Sequence, residues 1–356
     1  MISEKIFSTP GFLPYLYAEF FYHSMKTLAS LLLAAVCFIS ATAAENEATF
    51  VILPDTQTYF EQCPEVFESQ IDWIVENHDS IDAVIQVGDL TQENYPAEWY
   101  LAHRMMARID SVGLPLSLNL GNHDIGSRPF KYSDTYNTDL ANRYFPLSER
   151  SGKPYWGGNL HEGRIDAHYI SVDAGGANWK IISLPFGPTD RELEWAGQIA
   201  DSHPDSYIVL NTHAYLYCDS TLIDGKDYWK PTDYGYANDS LRGCPNNGDG
   251  IWEKFVSRHR NVIAVFCGHV LKSGVGTRVS KGVNGNMVYE MLANFQRGVD
   301  GSKMGGEGYL RIATFHFDTK ELEVKTYSPW LKRYHASPAH NFIFKNVDFT
   351  SYITHE

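Results

Sequence analysis

From Glu45 onward the chain alternates short β-branched apolar runs with longer stretches whose apolar residues recur at helical spacing. That alternation limits the fold more than any other feature. Thr49 to Leu53, Ala83 to Val87, Tyr207 to Leu210 and Val262 to Phe266 are apolar on both faces, as strands of a parallel sheet covered on both sides must be. Between them, Val66, Phe67, Ile71, Ile74 and Val75 share one helical face, Pro96 to Val112 opens on proline and stops before Gly113, and Thr189 to Ser202 is a third helix. Pro115 to Leu120 predicts a further strand, Tyr169 to Leu184 a hairpin turning at Gly175-Gly176, and Ile251 to Arg258 another helix. Leu310 to Phe317 and Glu321 to Tyr327 pair as a late hairpin. No repeat or linker interrupts the pattern, so residues 45–356 are expected to form one α/β domain.

Of 356 residues, 44% are hydrophobic and 20% charged, enough to bury a large core. The formal net charge of −14 argues against a general nucleic-acid-binding surface, which needs clustered Lys and Arg. Met25-Lys26 leads into an apolar run from Leu28 to Ile39 that ends in Ala41-Thr42-Ala43-Ala44. The run is short for a bilayer core of ~30 Å, and its small-residue end suits signal peptidase. Residues 1–44 are therefore read as an N-terminal extension and signal peptide, with the true start at Met25, cleavage after Ala43 or Ala44, and no membrane span afterwards. The expected location is secreted or periplasmic. Export permits disulfides. A bridge between Cys218 and Cys244 would restrain a loop rich in Gly, Asp, Asn and Tyr by ~3 kcal/mol on the chain-entropy model. Cys267, inside an apolar run, is expected to be buried.

Five short polar motifs each follow an apolar strand: Pro54-Asp55-Thr56-Gln57, Gly88-Asp89, Gly121-Asn122-His123-Asp124, Asn211-Thr212-His213 and Gly268-His269. Each alone is weak, since Gly-Asp is often a turn and a lone His is more often a hydrogen-bonded structural residue. Their recurrence carries more weight, because ligands of open α/β sheets bind beyond the carboxyl ends of the strands, where distant loops converge. Carboxylate, amide and imidazole donors together suit Mn, Fe, Zn or a related divalent ion.

In this order, with Gly-Asn-His-Asp at the centre, the motifs resemble those of the calcineurin-like metallophosphoesterases, from Asp55 to the last hairpins. The resemblance implies a four-layer αββα sandwich, two mixed sheets flanked by helices. It implies one or two divalent ions (Mn, Fe, Zn or Mg), with Asp89 bridging. One ion would be held by Asp89, Asn122, His213 and His269, and the other by Asp55, Gln57 and Asp89. The second set departs from the family pattern twice: Gln57 replaces a His, and Leu271 stands where the last His is expected. A Pro-Asp-Thr-Gln opening nonetheless resembles a recurrent subgroup of the family. Gln92, three residues after Asp89, stands where the purple acid phosphatases carry a metal-binding Tyr.

The activity implied is hydrolysis of a small phosphomonoester or phosphodiester by metal-activated water, leaning toward diesters. His123 would serve as general acid and Asp124 would orient its ring. The chain shows neither a Gly-x-Ser-x-Gly elbow nor a His-Glu-x-x-His helix. Aromatic residues crowd the segment after His213, namely Tyr215, Tyr217, Tyr228, Trp229, Tyr234 and Tyr236. Tyr215, with Asn294 and Gln296 farther along, is assigned to substrate binding. The alternative is a catalytically weak, metal-containing protein that binds a phosphorylated or glycan ligand, motivated by the missing imidazoles.

Overall fold

Two seven-stranded mixed sheets face each other. The structure, a computed structural model, describes residues 46–129 and 131–353. The start at Met25, the signal peptide and its cleavage site lie outside the described residues.

The first sheet runs from Arg333–Tyr334 through Glu321–Ser328, Leu310–His316, Glu47–Leu53 and Ala83–Gln86 to Leu116–Ser117, with Phe342–Lys345 also paired to Glu321–Ser328. Glu47–Leu53, Ala83–Gln86 and Leu116–Ser117 are mutually parallel, and the remaining pairs are antiparallel. The second sheet runs Val275–Lys281, Met287–Ala293, Val262–Cys267, Ser206–Thr212, Ala177–Leu184, His168–Ala174 and Trp156–Asn159. Its four strands from Met287–Ala293 to Ala177–Leu184 are parallel.

Side-chain alternation along these strands divides the core. Phe50 and Ile52 meet Trp179, Ile181, Val209 and Phe266 in the cluster between the sheets. Trp179 is its centre, with ring centroids 5.0 Å from Phe50, 4.8 Å from Tyr207 and 4.8 Å from Phe315. Val51, Leu53 and Val84 point the other way, into the cluster completed by helices Pro64–Glu76 and Pro96–Ser111 through Phe67, Ile71, Trp99 and Met106. Ile182, Leu184, Ile208 and Leu210 do the same toward helix Asp190–Ser202, which brings Leu193, Ala196 and Ala200. Thr189 and Glu192 cap that helix reciprocally, Glu192 Oε2 accepting the Thr189 N–H at 2.7 Å. The expected αββα layering is therefore present.

Three local expectations are corrected. The Pro115–Leu120 strand pairs only over Leu116–Ser117, because the neighbouring strand ends at Gln86 and the Ser117 hydroxyl turns across to Ser183 of the other sheet, 2.6 Å away. The Ile251–Arg258 helix begins earlier, at Gly248, and widens into a π turn over Trp252–Val256, where the Ser257 N–H reaches the Trp252 carbonyl. The Cys218–Cys244 disulfide is not formed, and both thiols are free. The two cysteines are tied to different places: Cys218 sits in the turn beside Lys272 and Ser220, whereas Cys244 precedes Pro245, which bridges to Thr189 at the head of a helix. Cys267 is buried as expected.

Candidate metal centre

Every metal-binding expectation falls on a loop leaving the carboxyl end of a parallel strand. Asp55 and Gln57 follow Glu47–Leu53, Asp89 follows Ala83–Gln86, Asn122 follows Leu116–Ser117, His213 follows Ser206–Thr212, and His269 follows Val262–Cys267. A sixth loop, carrying Asn294 and Gln296, leaves Met287–Ala293. The glycines that open three of the motifs are required by crowding. A Cβ on Gly121 would lie 2.1 Å from Asp89 Oδ1, one on Gly268 2.0 Å from Asp55 Oδ1, and one on Gly88 2.6 Å from His213 Nδ1. Asp89 and His269 both adopt positive φ, 54° and 74°, a left-handed conformation uncommon for residues other than glycine.

The loops bring donor atoms of Asp89, His213 and His269 within 4.8 Å of one another, all three residues buried. His213 Nε2 lies 3.3 Å from Asp89 Oδ2 and 3.1 Å from Asn122 Oδ1. Its Nδ1 faces the Val87 carbonyl at 2.9 Å, and His269 Nε2 faces the Trp229 carbonyl at 2.6 Å. Each ring thus spends one N–H on a backbone carbonyl and turns its other nitrogen to the cage, Nδ1 on His269 and Nε2 on His213, the latter giving a lone pair once an ion displaces its proton. Metal-binding histidines are held in the same way. Gln57 Nε2 donates to Asp89 Oδ2 at 2.9 Å, while Gln57 Oε1 is buried without a partner. A carboxylate, two oriented imidazoles and neighbouring amide oxygens fit a divalent ion of the Mn, Fe or Zn kind.

Burial by itself would raise these carboxyls and lower these imidazoles. At Asp89 the His213 and His123 rings overcome burial and hold the carboxyl below its usual range. His213, where burial pulls down, is instead held up by Asp89 and Asp55. Burial and the His213 charge push His269 down to about 3. Burial, reinforced by Asp89 and opposed by His213, raises Asp55. An ionised Asp89 therefore stands beside a neutral His269.

Residues 48–273 match the family model described as calcineurin-like phosphoesterase. The chain belongs to that family. It is 28% identical over 296 residues, 81% of its own length, to the uncharacterized protein YvnB of Bacillus subtilis, and spans 20% of that curated relative. Among solved structures it resembles a purple acid phosphatase from yellow lupin (Lupinus luteus) seeds, with TM-score 0.48, 14% identity, and coverage of 85% of this chain and 54% of that one. It also resembles the calcineurin-like phosphoesterase YfkN of Bacillus subtilis, with TM-score 0.36, 11% identity, and coverage of 87% and 93%.

Other expected site residues of this calcineurin-like phosphoesterase chain are placed differently. The His123 backbone N–H donates to Asp89 Oδ1 at 2.9 Å, and the His123 ring is near enough to help hold the Asp89 carboxyl down. Asp124, however, does not orient that ring. Its carboxylate accepts the backbone N–H groups of Leu90, Thr91 and Gly121 and the Thr91 hydroxyl, and so ties two site loops together. Orientation comes from the Gln92 carbonyl, 2.6 Å from His123 Nδ1, and from Tyr132, stacked 4.1 Å away at 25°. Tyr215 is not a substrate contact: it is fully buried and its hydroxyl donates to Glu290 Oε1 at 2.6 Å. Asn294 and Gln296 do reach the site, but as buried partners of Asp55 at 2.9 and 3.1 Å and not as exposed rim residues.

Of the aromatic loop, Tyr236 is core, Tyr228 is 75% exposed, and Tyr234 lies against Phe186 and His269. Several contributors had no motif to reveal them. Phe186 packs against both cage histidines, and Gln86 clasps the N–H and carbonyl of Gly88 just before Asp89. Trp229 supplies a carbonyl, which no side-chain pattern announces. The sole usable signal was position: Phe186 and Gln86 lie at or just past strand ends.

Proposed function

We propose that this chain is an exported, metal-dependent phosphoesterase that hydrolyses a small phosphomonoester or phosphodiester with water as the nucleophile. One observation carries the reading. Asp89 turns Oδ2 toward the two-imidazole cage while its Oδ1 accepts the His123 backbone N–H, so a single carboxylate faces the ion-holding set and anchors the main chain of the proposed proton donor beside it. A divalent ion bound there would lower the pKa of water toward neutrality and polarise the phosphoryl group.

The remaining work falls to the chain's own residues. With Nδ1–H spent on the Gln92 carbonyl, the second proton of a His123 imidazolium sits on Nε2, the atom that would hand it to the leaving oxygen. Phe186, fully buried, shields the inner side of both cage rings from water. A ligand-binding protein without turnover needs no oriented proton donor beside its ion, which favours the enzyme over the binding alternative.

Hydrolysis of aryl phosphate mono- and diesters with added Mn tests the proposal, with Asp89→Asn and His123→Ala as controls. Turnover no higher than that of both variants would sink it and favour a binding role. Export rests on the Leu28 to Ile39 run and the Ala41-Thr42-Ala43-Ala44 end. N-terminal sequencing of the protein recovered outside the cytosol should begin at Ala44 or Glu45, and an intact Met1 or Met25 would contradict it.

A further inference from the structure

We propose that the site holds one divalent ion per chain, and that three carboxamides, from Gln57, Asn294 and Gln296, take the place of a second. The inference rests on the phosphoesterase reading only in taking the site to be an ion site.

A second ion beside Asp89 would need another carboxylate, and Asp55 is the one at hand. Its Oδ2 already accepts three N–H groups: Asn294 Nδ2 at 2.9 Å, Gln296 Nε2 at 3.1 Å and the His269 backbone at 3.0 Å. Its Oδ1 is walled by the Gly268 backbone, close enough that a Cβ there would come within 2.0 Å, and takes the same His269 N–H at 3.2 Å. Amide donors gathered on a buried carboxylate satisfy its oxygen by hydrogen bonding where a cation would otherwise coordinate it. Asp55 thereby buckles the Gly268-His269 loop to the Asn294–Gln296 loop, with Oδ2 filled and Oδ1 confined between the Gly268 backbone and the His269 N–H.

Gln57 plays the matching part on the other side, its Nε2 donating to Asp89 Oδ2 at 2.9 Å, where an imidazole would have presented a lone pair. The remaining oxygen, Gln57 Oε1, is a single neutral donor, whereas a divalent ion takes four or more ligands. Asp124 cannot help, since its carboxylate is filled by Leu90, Thr91 and Gly121. Among the described residues, acidic and imidazole donors converge in one cluster, Asp89, His213 and His269, and Asp55 is outside it. With no second ion to clamp the leaving oxygen, protonation by His123 becomes the main way to stabilise it.

The test is a metal count on the full chain reconstituted with Mn and freed of excess ion by gel filtration. One Mn per chain is expected, with the six-line paramagnetic resonance spectrum of an isolated Mn(II). Two ions per chain, or an exchange-coupled spectrum, would overturn the inference. At saturating Mn, Asp55→Asn should still bind one ion, more weakly because the loops it ties are loosened, and Asp89→Asn should bind none; an Asp55→Asn chain that folds but binds no ion even at saturation would make Asp55 a ligand and overturn the inference as well. The wild-type count decides even if a variant misfolds. Hydrolysis measured on the same preparation separates the two claims: one ion without turnover keeps this inference and removes the function, two ions with turnover do the reverse, and no bound ion removes both.

Discussion

His123 is held from three directions: its backbone N–H by Asp89, its Nδ1 by the Gln92 carbonyl, and its ring face by Tyr132. A proton donor held this way matters most when the leaving group is a poor one. His123→Ala should therefore lower kcat about 100-fold or more on alkyl esters and far less on nitrophenyl esters, with bound metal unchanged. A leaving-group series measured alongside metal content checks this, and an equal loss across the series would refute the role. Tyr132→Ala should follow the same trend more weakly, at about 10-fold on the poorest leaving groups, a small part of what a positioned acid contributes, while Tyr132→Phe, which keeps the stacked ring, restores the rate. His123 was legible as the residue after Asn122 in a recognisable motif. Its supports were not, because one is a backbone carbonyl and the other a tyrosine on the two-residue strand Lys131–Tyr132, which pairs with Gly126–Arg128 outside the two large sheets, and neither leaves a pattern in the sequence.

Strand ends deliver the candidate ligands, and the loops beyond them tolerate little added volume. Gly268→Ala would place a methyl group on Asp55 Oδ1 and push apart the two loops which that carboxylate ties. The expected result is a 10- to 100-fold weaker metal affinity, the usual cost of disturbing residues that orient ligands, read by Mn titration of the folded variant; unchanged affinity would contradict the packing argument. Elsewhere in the second sheet, His168 is buried on its strand, stacked on Trp156 at 4.9 Å with Nδ1 against the Ile165 carbonyl at 2.7 Å. Burial, helped by the Arg150 charge, pushes its pKa from 6.5 down to about 4. The folded chain thus keeps this ring neutral where the unfolded chain would protonate it. Its contribution is present in full above pH 6.5 and is lost as pH falls toward 4, an effect of about 3 kcal/mol at about 1.4 kcal/mol per pKa unit. Urea unfolding at pH 7.5 and 4.5 should show a smaller pH dependence for His168→Gln than for the parent, and an identical slope would refute it. Most strands and the three long helices were legible from periodicity. The short edge strand at Leu116–Ser117 and the π turn at Trp252–Val256 were not, because their limits depend on neighbours distant in sequence.

At the scale of the molecule, the two sheets are joined beneath the site by a buried polar link. Asn211 Nδ2 donates to the Gln86 carbonyl at 3.0 Å, across from one sheet to the other, and to Ser183 at 3.0 Å, whose hydroxyl meets that of Ser117. The cage spans both sheets, since Asp89 and Asn122 come from one and His213 and His269 from the other. Metal binding should therefore stabilise the whole fold. At about 100 times the dissociation constant the gain is about 2.7 kcal/mol, seen as a rise in Tm of several degrees that a chelator reverses; no shift with saturating Mn would mean that the cage does not close across the sheets. The sequence by itself determined the layered α/β class and the identity of the polar loops, because apolar periodicity and a residue's chemistry are local properties. The tertiary structure alone decided that Asp124 ties loops together, that Tyr215 is core, that Cys218 and Cys244 stay apart, and that amide donors fill Asp55. Each of those outcomes depends on which groups from distant segments lie within hydrogen-bonding reach, and spacing along the chain does not encode that distance.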